Sequence, residues 1–156
     1  NFNQTLAKVY ELEAQILAQG VNLKKGAKNL LTYLQKEGVP IALATSSVES
    51  RARMILDNNG ILSLFDHLVF AKDVKRSKPY PDIFLKACSD LNVLPENCLV
   101  LEDSEAGIEA ASRAGIPVIC IPDLKIPAQS FLNKTEQVFQ DLDAVRDYLE
   151  SKKEIF

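Results

Sequence analysis

The 156 residues are enough for one domain with a sizeable core, and 47% of them are hydrophobic while 25% are charged. The formal net charge of −3 argues against nucleic acid as a partner, because it implies no broad basic surface. No stretch has the pattern of a membrane span or a secretory signal, and an odd count of three cysteines argues against a disulfide framework. We therefore expect a cytoplasmic protein, a monomer or weak dimer, with no nucleic-acid or membrane partner.

Apolar periodicity and breaker residues predict alternating helices and strands along the chain. In chain order they predict a helix over residues 6–17, a linker over 21–26, a helix carrying Leu30, Leu31 and Leu34, a strand over 39–44, a helix over 48–58, a strand over 67–70, a helix over 82–91, a strand over 98–101, a helix after Ser104, a strand over 118–121, an edge strand at 138–139 and a last helix over 142–149. This alternation predicts an α/β fold with a largely parallel sheet.

The most informative stretch is 99–116, where an apolar strand ends in two adjacent carboxylates, Glu102 and Asp103. Ser104 is placed to cap a helix and Gly115 to end it. The predicted inner face of that helix is small enough to lie close to a sheet and comprises Ala106, Gly107, Ala110, Ala111 and Ala114. Two carboxylates at the end of a parallel strand repel each other unless a cation lies between them, and Mg²⁺ prefers such oxygen ligands.

Two other polar signals lie at strand ends or helix starts, namely Thr45-Ser46 and Lys78. The carboxyl ends of parallel strands gather at one edge of a sheet, so we expect both signals to lie near Glu102 and Asp103. A hydroxyl, helix-start amides, an ammonium and a bound cation together suit a phosphoryl group. Taken singly, each signal has a structural alternative, since it could be a helix cap, a surface lysine or a pair of solvated acids.

Three ordered motifs resemble the haloacid-dehalogenase-like superfamily, in particular its β-phosphoglucomutase and phosphoglycolate-phosphatase-like branch. They are IALATSS at 41–47, SKPYPDIF at 77–84 and LEDSEAGIEAA at 101–111. The resemblance implies a Rossmann-like, doubly wound, mostly parallel sheet with helices on both faces. It further implies that Thr45 and the Ser46 amide bind phosphate, that Lys78 neutralises its charge, and that Glu102 and Asp103 hold Mg²⁺.

The chain departs from this family at the nucleophile, which is the first aspartate of an Asp-x-Asp-Gly motif ending the first strand. Only 141–143 has the Asp-x-Asp spacing, and Ala144 follows it in a helix-like segment. The chain begins at Asn1 and its only methionine is Met54, so we expect the carboxyl-terminal part of a longer polypeptide. Residues 1–20 would then be the remnant of a helical cap, and 21–156 a core lacking its first strand.

The resemblance implies a Mg²⁺-dependent phosphatase of small phosphorylated metabolites, which works through an aspartyl-phosphate in the intact protein. This chain alone is expected to be inactive. A sugar phosphomutase would use the same residues, and two non-catalytic alternatives are a receiver-like module and a phosphate-binding remnant. A receiver carries its acidic pair at the first strand, whereas here the pair follows Thr45 and Lys78, which argues against that alternative.

Overall fold

A computed structural model of the chain describes residues 7–10 and 23–153. A six-stranded parallel sheet forms its centre, with strand order β3-β2-β1-β4-β5-β6. The strands are β1 Ala7–Tyr10, β2 Ile41–Thr45, β3 His67–Phe70, β4 Cys98–Glu102, β5 Val118–Cys120 and β6 Gln137–Val138. The helices are α1 Ala27–Lys36, α2 Glu49–Asn58, α3 Asp82–Asp90, α4 Glu105–Arg113, α5 Gln129–Leu132 and α6 Leu142–Lys153. Among the described helices, none is both long and apolar enough to span a membrane.

Side chains alternate between the two faces of the sheet, and each face has its own apolar core. Leu43 of β2 and Leu101 of β4 pack with residues of α1 and α6 on one face. Ala44 and Val100 pack with residues of α3 and α4 on the other. The doubly wound, mostly parallel sheet is therefore present as predicted.

The first strand of the structure lies where the sequence predicts a helix. The predicted helix over residues 6–17 is wrong at Ala7–Tyr10, which form β1 and pair in parallel with both β2 and β4. The rest of that predicted helix lies outside the described residues, so the boundary at residue 20 stays a prediction. Residues Ala7–Tyr10 thus occupy the central position of the sheet between β2 and β4, where an unfilled gap would leave backbone groups without hydrogen-bond partners.

The helix that follows the carboxylates has the predicted ends but a different buried face. Ser104 is its N-cap, accepting a hydrogen bond from the Gly107 N–H at 3.1 Å, and Gly115 follows it with φ of 71°. Ala106 is exposed, however, and Ile108 is buried. The prediction placed only small residues on the buried face of this helix, whereas the sheet also accommodates the larger aliphatic side chain of Ile108.

Candidate functional site

Thr45 is the last residue of β2 and lies buried at the carboxyl edge of the sheet. Its hydroxyl accepts a hydrogen bond from the Ser47 N–H at 3.1 Å, and Ser46 is exposed. The alternative that Thr45 or Ser46 serves as a helix cap is wrong, because α2 begins after Val48 and has no side-chain cap. The Thr45 hydroxyl closes a local turn instead, which holds the Thr45–Ser47 backbone in place.

Glu102 ends β4 and is fully buried. Its Oε1 accepts hydrogen bonds from the Asp103 N–H at 2.9 Å and from both the N–H and the hydroxyl of Ser104 at 3.0 Å. Its Oε2 accepts no hydrogen bond from any described residue and lies 3.7 Å from the Lys78 ammonium. The glutamate therefore connects the start of α4 to Lys78.

Gly107 makes room for the Glu102 carboxylate. A Cβ atom at Gly107 would overlap that carboxylate. The absence of a side chain in the first turn of α4 is thus a steric requirement of the buried glutamate, which the sequence shows only as a small residue on a helix face.

Lys78 is buried with 6% of its side chain exposed, although it lies in the loop before α3. Its ammonium is 5.1 Å from the centre of the Phe84 ring, in addition to its ion pair with Glu102. Burying a lysine costs free energy unless its charge is balanced, and both Glu102 and the Phe84 ring contribute to that balance. Since Glu102 ends β4, the contact places the Lys78 ammonium at the same edge of the sheet as Asp103.

Asp103 has different surroundings from its neighbour Glu102. It is 8% exposed, and burial raises the pKa of its carboxyl above the ordinary value. Two cations partly oppose this rise in pKa, Lys24 more strongly than Lys78. A carboxylate that is desolvated and only partly balanced favours a cation in its vicinity.

Lys24, which precedes α1, is the residue that the sequence analysis missed. Its ammonium donates hydrogen bonds to the carbonyls of Ile121 at 2.7 Å and Pro122 at 3.2 Å, directly after β5. Nothing in the sequence distinguishes it from Lys25, which pairs with Asp141 at 3.5 Å while three quarters of its side chain is exposed.

Two further polar residues near the motifs, Arg76 and His67, make no described contact with Lys78, Glu102 or Asp103. Arg76 is exposed, where it pairs with Asp82 at 2.9 Å and stacks 4.4 Å from the Tyr80 ring. His67 is exposed at the start of β3, the opposite end from Thr45.

The oxygen chemistry of Asp103 suits a hard cation such as Mg²⁺. Asp123 is near enough to raise the pKa of Asp103 by charge repulsion. Within residues 7–10 and 23–153, no three acidic, histidine or cysteine side chains are grouped closely enough to enclose a metal. Asp103 therefore fits as a single ligand of such a cation, and any further ligands would have to come from water, a substrate oxygen or other residues.

Comparison with known proteins assigns the family. Residues 1–121 match the model of the haloacid dehalogenase-like hydrolases. The chain belongs to this family. It is 40% identical over 121 residues to the validoxylamine A 7'-phosphate phosphatase of Streptomyces hygroscopicus subsp. limoneus, covering 78% of this chain and 56% of that protein. It is 35% identical over 109 residues to a phosphorylated carbohydrates phosphatase of Thermotoga maritima, covering 70% of this chain and 50% of that protein.

Solved structures of haloacid dehalogenase-like proteins have the same fold. A β-phosphoglucomutase from Clostridium difficile superposes with a TM-score of 0.71 at 29% identity, covering 83% of this chain and 56% of the other. The chain thus spans roughly half to three fifths of the length of such relatives.

Proposed function

We propose that this chain supplies most of the catalytic core of a Mg²⁺-dependent phosphatase acting on small phosphorylated metabolites. The observation that carries the proposal is the buried Lys78 ammonium, held by Glu102 at the sheet edge where Asp103 and the end of β2 also lie. A lysine buried at the edge where α/β proteins bind ligands suits an anionic substrate. The phosphatase activities of the curated relatives support the same substrate class.

Each residue has a distinct role in this proposal. Thr45 and the Ser46 N–H hold phosphoryl oxygens, while Lys78 offsets the negative charge that the phosphoryl group carries. The resemblance implied that Glu102 holds Mg²⁺ together with Asp103, but we propose it instead as a positioning residue for Lys78. Its Oε1 accepts hydrogen bonds from Asp103 and Ser104, and its Oε2 lies 3.7 Å from the Lys78 ammonium. Asp103 is the metal ligand, and bound Mg²⁺ would supply further charge neutralisation at the phosphoryl group.

Turnover in the intact protein would proceed through an aspartyl-phosphate. An aspartate carboxylate would act as the nucleophile, which divides one displacement into two steps. The sequence contains no Asp-x-Asp-Gly motif, and Asp141 of the Asp-x-Asp pair at 141–143 lies immediately before α6. We therefore propose that the chain binds phosphate and metal but does not turn over alone. A cytoplasmic location and a small-molecule partner, with no nucleic acid or membrane, belong to the same proposal.

The test is phosphate release from p-nitrophenyl phosphate and a panel of phosphorylated sugars and nucleosides by the intact protein, with Mg²⁺ or with EDTA. Asp103→Ala is expected to lose Mg²⁺-dependent turnover while keeping the circular dichroism spectrum of the unaltered protein. Asp90→Ala, on α3 and paired only with Lys86 among the described contacts, is the matched control. Full activity of Asp103→Ala would contradict the metal role.

A sugar phosphomutase is the second candidate, favoured by the similarity to the Clostridium difficile β-phosphoglucomutase. It would use the same Thr45, Lys78 and Asp103 and return the phosphoryl group to a second hydroxyl. Incubation with a hexose 1-phosphate separates the two functions, because a phosphatase releases inorganic phosphate and a mutase forms the 6-phosphate isomer.

A further inference from the structure

Two of the three cysteines contact each other where α3 packs near the start of β4. Cys88 lies on the last turn of α3 and Cys98 is the first residue of β4, and their Sγ atoms are 3.1 Å apart. Both residues are 2% exposed and belong to the apolar core that includes Val100. Sulfur atoms in a disulfide are about 2.0 Å apart, so a movement of roughly 1 Å would bring the two thiols to bonding distance.

The chain between the two cysteines holds both thiols in place. The Val93 N–H donates a hydrogen bond to the Cys88 carbonyl at 3.0 Å, and the Asn97 N–H donates to the Leu94 carbonyl at 2.9 Å. The Cys98 thiol itself donates to the Leu94 carbonyl at 3.4 Å. The contact between the sulfurs is therefore supported by the backbone on both sides of the connecting turn.

The surroundings of the two thiols make Cys88 the more reactive one. A hydrogen bond from the Cys98 thiol lowers the pKa of Cys88, whereas the same contact, together with burial, raises the pKa of Cys98. The first proton is therefore lost most easily from Cys88, and the thiolate is the form of cysteine that attacks an oxidant. The third cysteine differs, because burial raises the pKa of Cys120 to about 11 and no described residue places a sulfur beside it.

We propose that Cys88 and Cys98 are a redox-active thiol pair, which a peroxide oxidises to a disulfide that joins α3 to β4. The Cys88 thiolate attacks one oxygen of hydrogen peroxide, which breaks the O–O bond, releases hydroxide and leaves a sulfenic acid on Cys88. The Cys98 sulfur, after losing its proton, attacks the Cys88 sulfur and displaces a second hydroxide as the S–S bond forms. The two thiol protons convert both hydroxides to water.

The pair is accessible to a small oxidant through the segment that joins its two members. Asn92, Leu94 and Glu96 in that segment are exposed. Local opening of an exposed segment costs less free energy than unfolding of the core. A peroxide can therefore reach the thiols while the sheet stays folded.

The experiment oxidises the reduced, folded chain with hydrogen peroxide and blocks the remaining thiols with N-ethylmaleimide. Proteolytic cleavage after Glu96 separates the two cysteines, so a linked pair of peptides in the mass spectrum reports the disulfide. Cys98→Ser removes the second sulfur, and Cys88→Ser removes the first. The matched control is Cys120→Ser, which makes the same substitution at a buried thiol of the adjacent strand β5.

The unaltered chain and Cys120→Ser are expected to form the Cys88–Cys98 linkage, which dithiothreitol reverses. The linkage should raise the midpoint of thermal unfolding by at least about 4 °C, because it restricts the unfolded chain. Cys98→Ser should stop at a sulfenic acid on Cys88, which dimedone traps. In Cys88→Ser, peroxide should modify Cys98 at least about tenfold more slowly than it modifies Cys88 in Cys98→Ser.

The unaltered chain alone can overturn the proposal, so the test does not depend on the folding of the variants. Equal rates of oxidation at Cys88 and Cys120 would show that their surroundings do not favour Cys88. Oxidation of Cys88 to sulfinic acid without a linkage to Cys98 would show that the second thiol does not resolve the first. A linkage that forms only in urea would show that the folded pair does not react.

Discussion

At the scale of single residues, Gly107 and Glu102 share one small volume at the end of β4. Gly107→Ala would ordinarily stabilise a helix by up to about 1 kcal/mol. Here the added methyl would overlap the buried carboxylate, so we expect the free energy of unfolding to fall by about 1–3 kcal/mol. Urea denaturation of the unaltered chain and of Gly107→Ala measures the difference in the free energy of unfolding.

The same pair supplies its own control through a double-mutant cycle. In a Glu102→Ala background the overlap is gone, so adding Gly107→Ala should be neutral or stabilising. An equal loss of stability from Gly107→Ala in both backgrounds would show that the cost arises elsewhere than at Glu102.

At the scale of an element, α6 depends on Asp141 at its amino end. The Asp141 carboxylate accepts a hydrogen bond from the Ala144 N–H at 2.8 Å, which is the main reason that the pKa of Asp141 lies below its ordinary value. We expect Asp141→Ala to lower the free energy of unfolding by about 1 kcal/mol at neutral pH. The exposed partner Lys25 contributes little, so Lys25→Met should cost well under that amount.

The pH dependence of this cap has a definite sign. Since the folded-state pKa of Asp141 is lowered, its stabilisation is present above the unfolded-state pKa and is lost as pH falls through the folded value. The stability difference between the unaltered chain and Asp141→Asn should therefore be constant above about pH 5 and shrink below about pH 4. A difference that stays constant down to pH 2 would exclude the charge of Asp141 as its source.

At the scale of the whole molecule, the sheet depends on its central strand. β1 pairs on both sides, with Val9 opposite Ala42 and Val100, whereas the edge strand β6 pairs with β5 alone among the described strands. Proline removes a ladder donor and is tolerated mainly at sheet edges. Val9→Pro is expected to abolish cooperative unfolding or to cost more than about 3 kcal/mol, and Val138→Pro in β6 to cost clearly less.

Thermal denaturation followed by circular dichroism compares the two proline variants directly, since both replace a valine within a strand. Equal midpoints for Val9→Pro and Val138→Pro would contradict the central position of β1. Hydrogen exchange gives a second readout, because loss of β1 pairing should expose the amides of β2 and β4 together.

The sequence by itself determined the features that depend on near neighbours. The alternation of strands and helices, the Ser104 cap and the turn at Gly115 follow from residues within a few positions of one another. The positions of Thr45 and Asp103 at strand ends were predictable for the same reason, because an apolar run followed by polar residues marks where a buried strand stops.

Only the tertiary structure decided how the surroundings of two similar neighbouring residues differ. Glu102 and Asp103 are adjacent acids in the sequence, yet Glu102 is enclosed by Ser104 and Lys78, whereas the Asp103 carboxyl is buried without such partners among the described contacts, and burial raises its pKa. Lys24 and Lys25 differ in the same way. The pairing of Ala7–Tyr10 between β2 and β4 also depends on the tertiary structure. Its hydrogen-bond partners lie more than 30 positions away, so local periodicity does not predict them.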